Sequence, residues 1–178
     1  MKNFRIAILL FLTLTVLTGI IYPLLITGLA QLILPYQANG SFLQNSKGKI
    51  IGSELIAQKF QSPKYFWPRP SAIDYNPLPS GGSNLAVNSI ALQKIMQGKP
   101  KNMPSDLVFA SGSGLDPEIG ISAVLFQVER INKARKFKPS QKQELKKLIE
   151  KLKEKRDLGI LGEPRINVLK LNLLLDKL

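Results

Sequence analysis

IAILLFLTLTVLTGIIYPLLITGLAQLIL, residues 6–34, is the stretch on which the reading of this chain turns. No charge interrupts it, and after Arg5 the next charged side chain is Lys47. An α-helix rises about 1.5 Å per residue and the hydrocarbon core of a bilayer is roughly 30 Å thick, so about 20 apolar residues suffice to cross. Ile6–Leu34 exceeds that length, with room for tilt or for a kink at Pro23. A cleaved signal peptide is the competing reading, and Gly28-Leu29-Ala30 resembles a cleavage site. Its apolar region runs about 7–15 residues, however, and this one is roughly twice that. The expectation is a retained anchor. The chain has no cysteine, which excludes a lipoprotein anchor.

Outward from the anchor, Lys2 and Arg5 lie on its N-terminal side. The positive-inside rule then predicts a cytoplasmic segment 1–5, a transmembrane helix 6–34 and an extracytoplasmic domain 35–178. The basic character of that domain does not reverse the expectation, because long domains translocate largely regardless of charge. Its 144 residues are enough for one compact core and too few for two typical domains. The expected fold class is α+β: one N-terminal transmembrane helix followed by a single compact domain.

Composition narrows the chemistry. With no histidine and no cysteine, Ser-His-Asp and Cys-His catalysis, disulfides, thiol redox chemistry and the usual zinc sets are all excluded. The net charge is +13, which invites a nucleic-acid reading. Much of the excess lies between Lys133 and Arg156, in a stretch that reads as one exposed helical face. Beside a membrane anchor, that points to an acidic protein surface or anionic headgroups and away from nucleic acid.

Within the domain, Asn39-Gly40-Ser41 reads as a turn and Ser53 as the cap of a short helix through Phe60. From Ser62 to Asn84 come Pro63, Pro68, Pro70, Pro77 and Pro79, with Tyr65, Phe66, Trp67 and Tyr75. Each proline fixes φ and removes a donor, so no helix or central strand runs through. The aromatic content predicts an ordered loop pinned by burial, and loops of this length are usually functional or disordered. Helices are expected over Asn88–Gln97, after a Ser122 cap, and after a Ser140/Gln143 capping box. A buried strand is expected over Asp106–Ala110. Asn167–Leu178 mixes both periods, and Asn167 as a cap favours helix.

Two glycine-rich segments, Ser80–Asn84 and Ser111–Pro117, are chemically suggestive. Such turns expose N–H groups that cradle phosphate, yet neither matches the P-loop or the dinucleotide fingerprint, and the ordinary reading is a structural turn. A serine nucleophile would need a lysine partner held away from water, whereas most lysines here fall on the exposed face. Arg69 and Arg130 suit either an anion or the stapling of loops.

Several phrases taken together resemble the C subunit family of Kdp-type potassium-transporting P-type ATPases. They are the anchor, Tyr65-Phe66, Arg69-Pro70-Ser71-Ala72, Tyr75-Asn76, Ser80-Gly81-Gly82-Ser83-Asn84-Leu85 and Ser111-Gly112-Ser113-Gly114-Leu115-Asp116-Pro117. Gln127-Val128, Arg130, Ala134-Arg135, Gly162-Glu163-Pro164-Arg165, Asn167-Val168-Leu169 and Leu171-Asn172-Leu173 follow in the family's order, with Leu175-Asp176 at the end. Trp67-Pro68 stands where the family usually has His-Gly, and Gly120–Val124 departs from the usual Ile-Ser-Pro-Glu-Ala run.

The resemblance implies a single-pass subunit of the bacterial inner membrane, in contact with lipid. Its partners would be a channel-like A subunit and an ATP-hydrolysing B subunit. The implied role is accessory and non-catalytic: assisting assembly and raising the B subunit's affinity for ATP. ATP and potassium would be handled by the complex, with no catalytic, cofactor or metal residue on this chain. The candidate subunit-contact or domain-support residues are Tyr65, Phe66, Arg69, Asn84 and Asp116. The alternative from another class is an outward-facing, membrane-anchored serine-lysine hydrolase acting through Ser83, Ser111 or Ser113.

Overall fold

The computed structural model describes residues 2–45 and 47–178. Its backbone groups into two units, one ending at Ser53 and one running Glu54–Leu178. In the first, the apolar stretch is helical over Lys2–Ile33, 32 residues or about 48 Å, and qualifies as a candidate membrane span. It consists of α1 (Lys2–Val16), a π turn (Leu17–Ile21) and α2 (Tyr22–Ile33). None of its residues is buried within the protein, as suits a helix that is apolar on every side. The Thr15 and Thr18 hydroxyls donate to Phe11 O and Leu14 O at 2.8 and 2.7 Å, which hides their polarity.

Pro23 explains the wide turn before it. Proline has no N–H, and its ring crowds the carbonyl four residues back. The helix widens there, with the Tyr22 N–H reaching Leu17 O. Pro35 opens a new short helix, α3 (Pro35–Ala38), after the break at Leu34. Strands β1 (Phe42–Gln44) and β2 (Ile50–Ser53) then pair antiparallel, Phe42 opposite Ser53, with an irregularity between Leu43 and Gln44. Ser53 therefore caps no helix: its hydroxyl donates to Gly40 O at 2.7 Å, and residues 54–60 are turn and coil.

The second unit is an α+β assembly. It contains α4 (Ile90–Gln97), a 3-10 turn (Ser105–Leu107), β3 (Glu118–Gly120), α5 (Ile121–Arg135), α6 (Pro139–Leu152), β4 (Arg165–Asn167) and α7 (Val168–Leu175). β3 and β4 pair antiparallel, with Ile119 opposite Ile166. The core gathers Phe66, Ile119 and Ile166 with Val124 and Ile131 of α5, Leu145 and Ile149 of α6, and Leu171 and Leu175 of α7. The spacings of four and seven put each helical pair on one face. On α6 the opposite face exposes Lys142, Lys146, Lys147 and Lys151.

Three further expectations, all in this unit, need correction. The apolar run Asp106–Ala110 is not a strand: Pro104 starts a tight turn, with the Leu107 N–H on Pro104 O at 2.9 Å. Ser122 is not a cap, because α5 starts one residue earlier, behind Gly120. The cap comes from elsewhere in the chain, as Asp106 Oδ2 accepts the Gly120 N–H at 2.8 Å. The Ser140/Gln143 capping box is also displaced, since Pro139 takes the first helical position. Gln141 Oε1 instead accepts the Lys138 N–H at 3.1 Å. Two expectations held: the helix expected over Asn88–Gln97 forms as α4, starting at Ile90 behind a Ser89 cap, and Asn167 caps α7 by accepting the Lys170 N–H at 3.0 Å.

Candidate functional site

The proline-aromatic loop has no helix or strand over residues 62–84, yet it is held from both sides. Phe66 is fully buried. Its N–H donates to Asn172 Oδ1 and its carbonyl accepts from Asn172 Nδ2, both at 2.9 Å. Gln127 does the same for the next residue, accepting the Trp67 N–H at 2.8 Å and donating to Trp67 O at 3.1 Å. Two buried amides, one on α7 and one on α5, thus stand in for neighbouring strands. The prolines that prevent a sheet leave backbone groups in need of partners, and the amides supply them.

Two arginines of α5 complete the attachment. Arg130 donates to Pro63 O at 2.6 Å, Tyr65 O at 3.0 Å and Gln127 Oε1 at 2.7 Å, with its guanidinium 3.7 Å above the Trp67 ring centroid. Burial lowers its pKa from the ordinary arginine value. Arg135 donates to Lys64 O at 2.8 Å and pairs with Asp176 at 2.6 Å, beneath the Tyr65 ring. The Tyr65 hydroxyl donates to Asp176 Oδ2 at 3.0 Å. Its pKa is raised by burial first and by Asp176 next.

Further along, Arg69 pairs with Asp116 at 3.1 Å, both half-buried. The Tyr75 hydroxyl donates to Arg69 O at 2.9 Å, and Ser71 Oγ accepts the Tyr75 N–H at 2.9 Å. The two glycine-rich turns meet here. The Gly81 N–H donates to Ser113 O at 3.0 Å. A Cβ on Gly82 would fall 2.8 Å from Gly112 O, and one on Gly114, at φ +70°, 2.5 Å from Ile73. Neither turn tolerates a side chain at these points. A recess of about 220 Å³ beside them is lined by Arg69, Asp106, Asp116, Glu118 and Arg165. A larger cavity, about 440 Å³, lies under the loop against Trp67, Pro70, Tyr75, Met103 and Phe126.

The five singled-out residues thus take different positions. Tyr65 and Phe66 lie at the anchored start of the loop, and Arg69 and Asp116 join its middle to the second turn. Asn84 is exposed at the loop's end with φ +50°, apart from that pair's bond. Arg69 and Arg130 act as staples, one to a carboxylate and one to carbonyls. The serines of the second turn serve the backbone: Ser111 Oγ accepts the Asp116 N–H and Ser113 Oγ the Leu115 N–H. Sequence reasoning gave Asn172 and Gln127 no role. Besides their place in the family's phrases, the signal was an amide placed inside an apolar helical face.

Over residues 4–177 the chain matches a family model described as "K+-transporting ATPase, c chain", the KdpC family. The chain belongs to that family. Among KdpC relatives, the potassium-transporting ATPase KdpC subunit of Geotalea uraniireducens is 46% identical over 190 residues, covering 100% of this chain and 99% of that subunit. The KdpC subunit of Geobacter sulfurreducens is also 46% identical, with the same coverage. That of Leptospira interrogans is 46% identical over 181 residues, covering 96% of this chain and 92% of the relative. KdpC membership makes this chain a membrane-associated subunit of a potassium-transporting ATPase complex.

Proposed function

We propose that this chain is the accessory, non-catalytic subunit of the importer, with its domain outside the cytoplasm. It docks on a channel-like A subunit and an ATP-hydrolysing B subunit, assists their assembly and raises the B subunit's affinity for ATP. One observation carries the reading: the loop that presents Tyr65 and Arg69 is fixed by amides at Phe66 and Trp67, by arginines and by the Arg69–Asp116 pair before any partner arrives. A preformed surface loses little entropy on docking. An external domain affects a cytoplasmic ATP site only by favouring one of two conformations of the whole complex, so its contacts must differ between them. The hydrolase alternative receives no support from Ser111 and Ser113, whose hydroxyls serve the turn.

The test is purification in mild detergent, with and without this chain. The intact complex should yield the A and B subunits together and show a lower KM for ATP than a preparation lacking this chain. Arg69→Ala should reduce complex yield or ATPase activity while potassium-over-sodium preference stays as in wild type. Selection needs converging oxygens around a pore, which one helix and one small domain do not enclose. Normal assembly with lost selectivity would overturn this assignment.

A further inference from the structure

Between α6 and β4 the chain leaves the domain as an arm. Its base is a two-way backbone pair, Glu154 N–H to Arg165 O at 2.9 Å and Arg165 N–H to Glu154 O at 3.1 Å. A second pair, Asp157 with Leu161, closes the end at 2.9 Å in both directions. Between them Arg156 grips both carboxylate oxygens of Glu163 at 2.8 Å. The stem is therefore held in one shape. Its tip is apolar and uncovered: Leu158, Ile160 and Leu161 are 90%, 76% and 56% exposed.

Leu158 also stands at φ +54°, in the left-handed region that leucine avoids. Its exposed side chain gains no burial inside the domain to offset that cost. A side chain presented at the expense of its own backbone points to a use outside the chain. We infer that this tip is a docking element that inserts into an apolar recess on another subunit of the ATPase complex. The inference rests on the accessory-subunit reading above and adds the contact itself.

Charge decides between a protein recess and the bilayer. Along Glu154–Arg165 three acidic residues (Glu154, Asp157, Glu163) balance three basic ones (Lys155, Arg156, Arg165), in a chain of net charge +13. A loop that enters an anionic membrane sets free cations, and often aromatic rings, beside its apolar tip. Here the side chains of Asp157 and Glu163 are 70% and 78% exposed at the neck, and the tip residues are aliphatic. A neutral neck behind an aliphatic tip suits a protein pocket. Lys155 is the one lysine of the arm, whereas four exposed lysines, Lys142, Lys146, Lys147 and Lys151, lie together on α6.

The experiment uses the whole complex in native membranes, with a photoreactive benzophenone amino acid in place of Ile160. Irradiation should give an adduct joining this chain to another subunit. Adducts confined to lipid or to a second copy of this chain, or no adduct in a complex that purifies intact, would overturn the docking assignment alone. If the wild-type chain purifies without any other subunit, the accessory-subunit reading fails, and the docking assignment with it. Leu158→Asn provides a second arm, because asparagine tolerates the left-handed backbone. Its thermal unfolding should match or exceed wild type while its retention in the complex weakens by about tenfold or more. Retention equal to wild type would overturn the proposal.

Discussion

Asn172 and Gln127 each turn an amide oxygen and an amide N–H on the backbone of a single loop residue, Gln127 also accepting from Arg130 and donating to Ala123 O at 3.2 Å. Asn172→Ala would leave the Phe66 N–H and carbonyl buried without partners. At about 1–3 kcal/mol for each such group, unfolding of the detergent-solubilised chain in urea should lose about 2–6 kcal/mol. A loss below about 1 kcal/mol would show that the loop finds other partners. Asn172→Asp should not rescue it: the acceptor remains, but a carboxylate then faces the Phe66 carbonyl. Phe66 has no exposed surface, so its variants test the core of the domain. The clamp was not legible in the sequence because it joins positions 106 residues apart. The loop's order was legible, since aromatic side chains so close to prolines need burial.

At the scale of elements, α5 and α6 were legible because their apolar residues recur on one face over two or more turns, whereas α7 mixed both periods and was favoured through its Asn167 cap. The strands were not. β3 and β4 have three residues each, too few to establish an alternation. The apolar run at 106–110 imitated one better than the real strands did. The caps that moved have a common cause: an acceptor from a distant turn, or a proline, outweighed the local serine.

The short β3–β4 pair also carries a pH effect. Burial raises the pKa of Glu118 above the ordinary glutamate value, against the pull of Arg165 at 2.7 Å, and nearby Glu154 and Asp116 add to the rise. The folded protein thus holds this proton more tightly than the unfolded chain. That contribution to stability is complete below the unfolded pKa and is lost as pH rises through the folded one. The stability of wild type relative to Glu118→Gln should therefore fall across that window, read by urea unfolding at stepped pH. A constant difference would mean that the ion pair with Arg165 cancels the effect of burial, and a difference that grows with pH that it outweighs burial.

At the scale of the whole molecule, the prediction concerns sidedness. A reporter active only outside the cytoplasm, fused after Leu178, should be active, because Lys2 and Arg5 precede the span while no charge follows it until Lys47. Activity of a cytoplasm-specific reporter alone at that position would reverse the assignment. The existence of a span was legible from length and charge. The interruption within it was legible only as a proline, because periodicity does not register a single wide turn.

That wide turn, Leu17–Ile21, shifts the phase of the anchor. One extra residue rotates everything beyond it by about 100° around the axis. The side-chain stripes of α1 and α2 therefore face different azimuths, although both belong to one continuous helix, the candidate membrane span. A single straight neighbouring helix cannot follow one stripe along its whole length. The two halves present separate faces, and deleting one residue within the turn would bring them back into line.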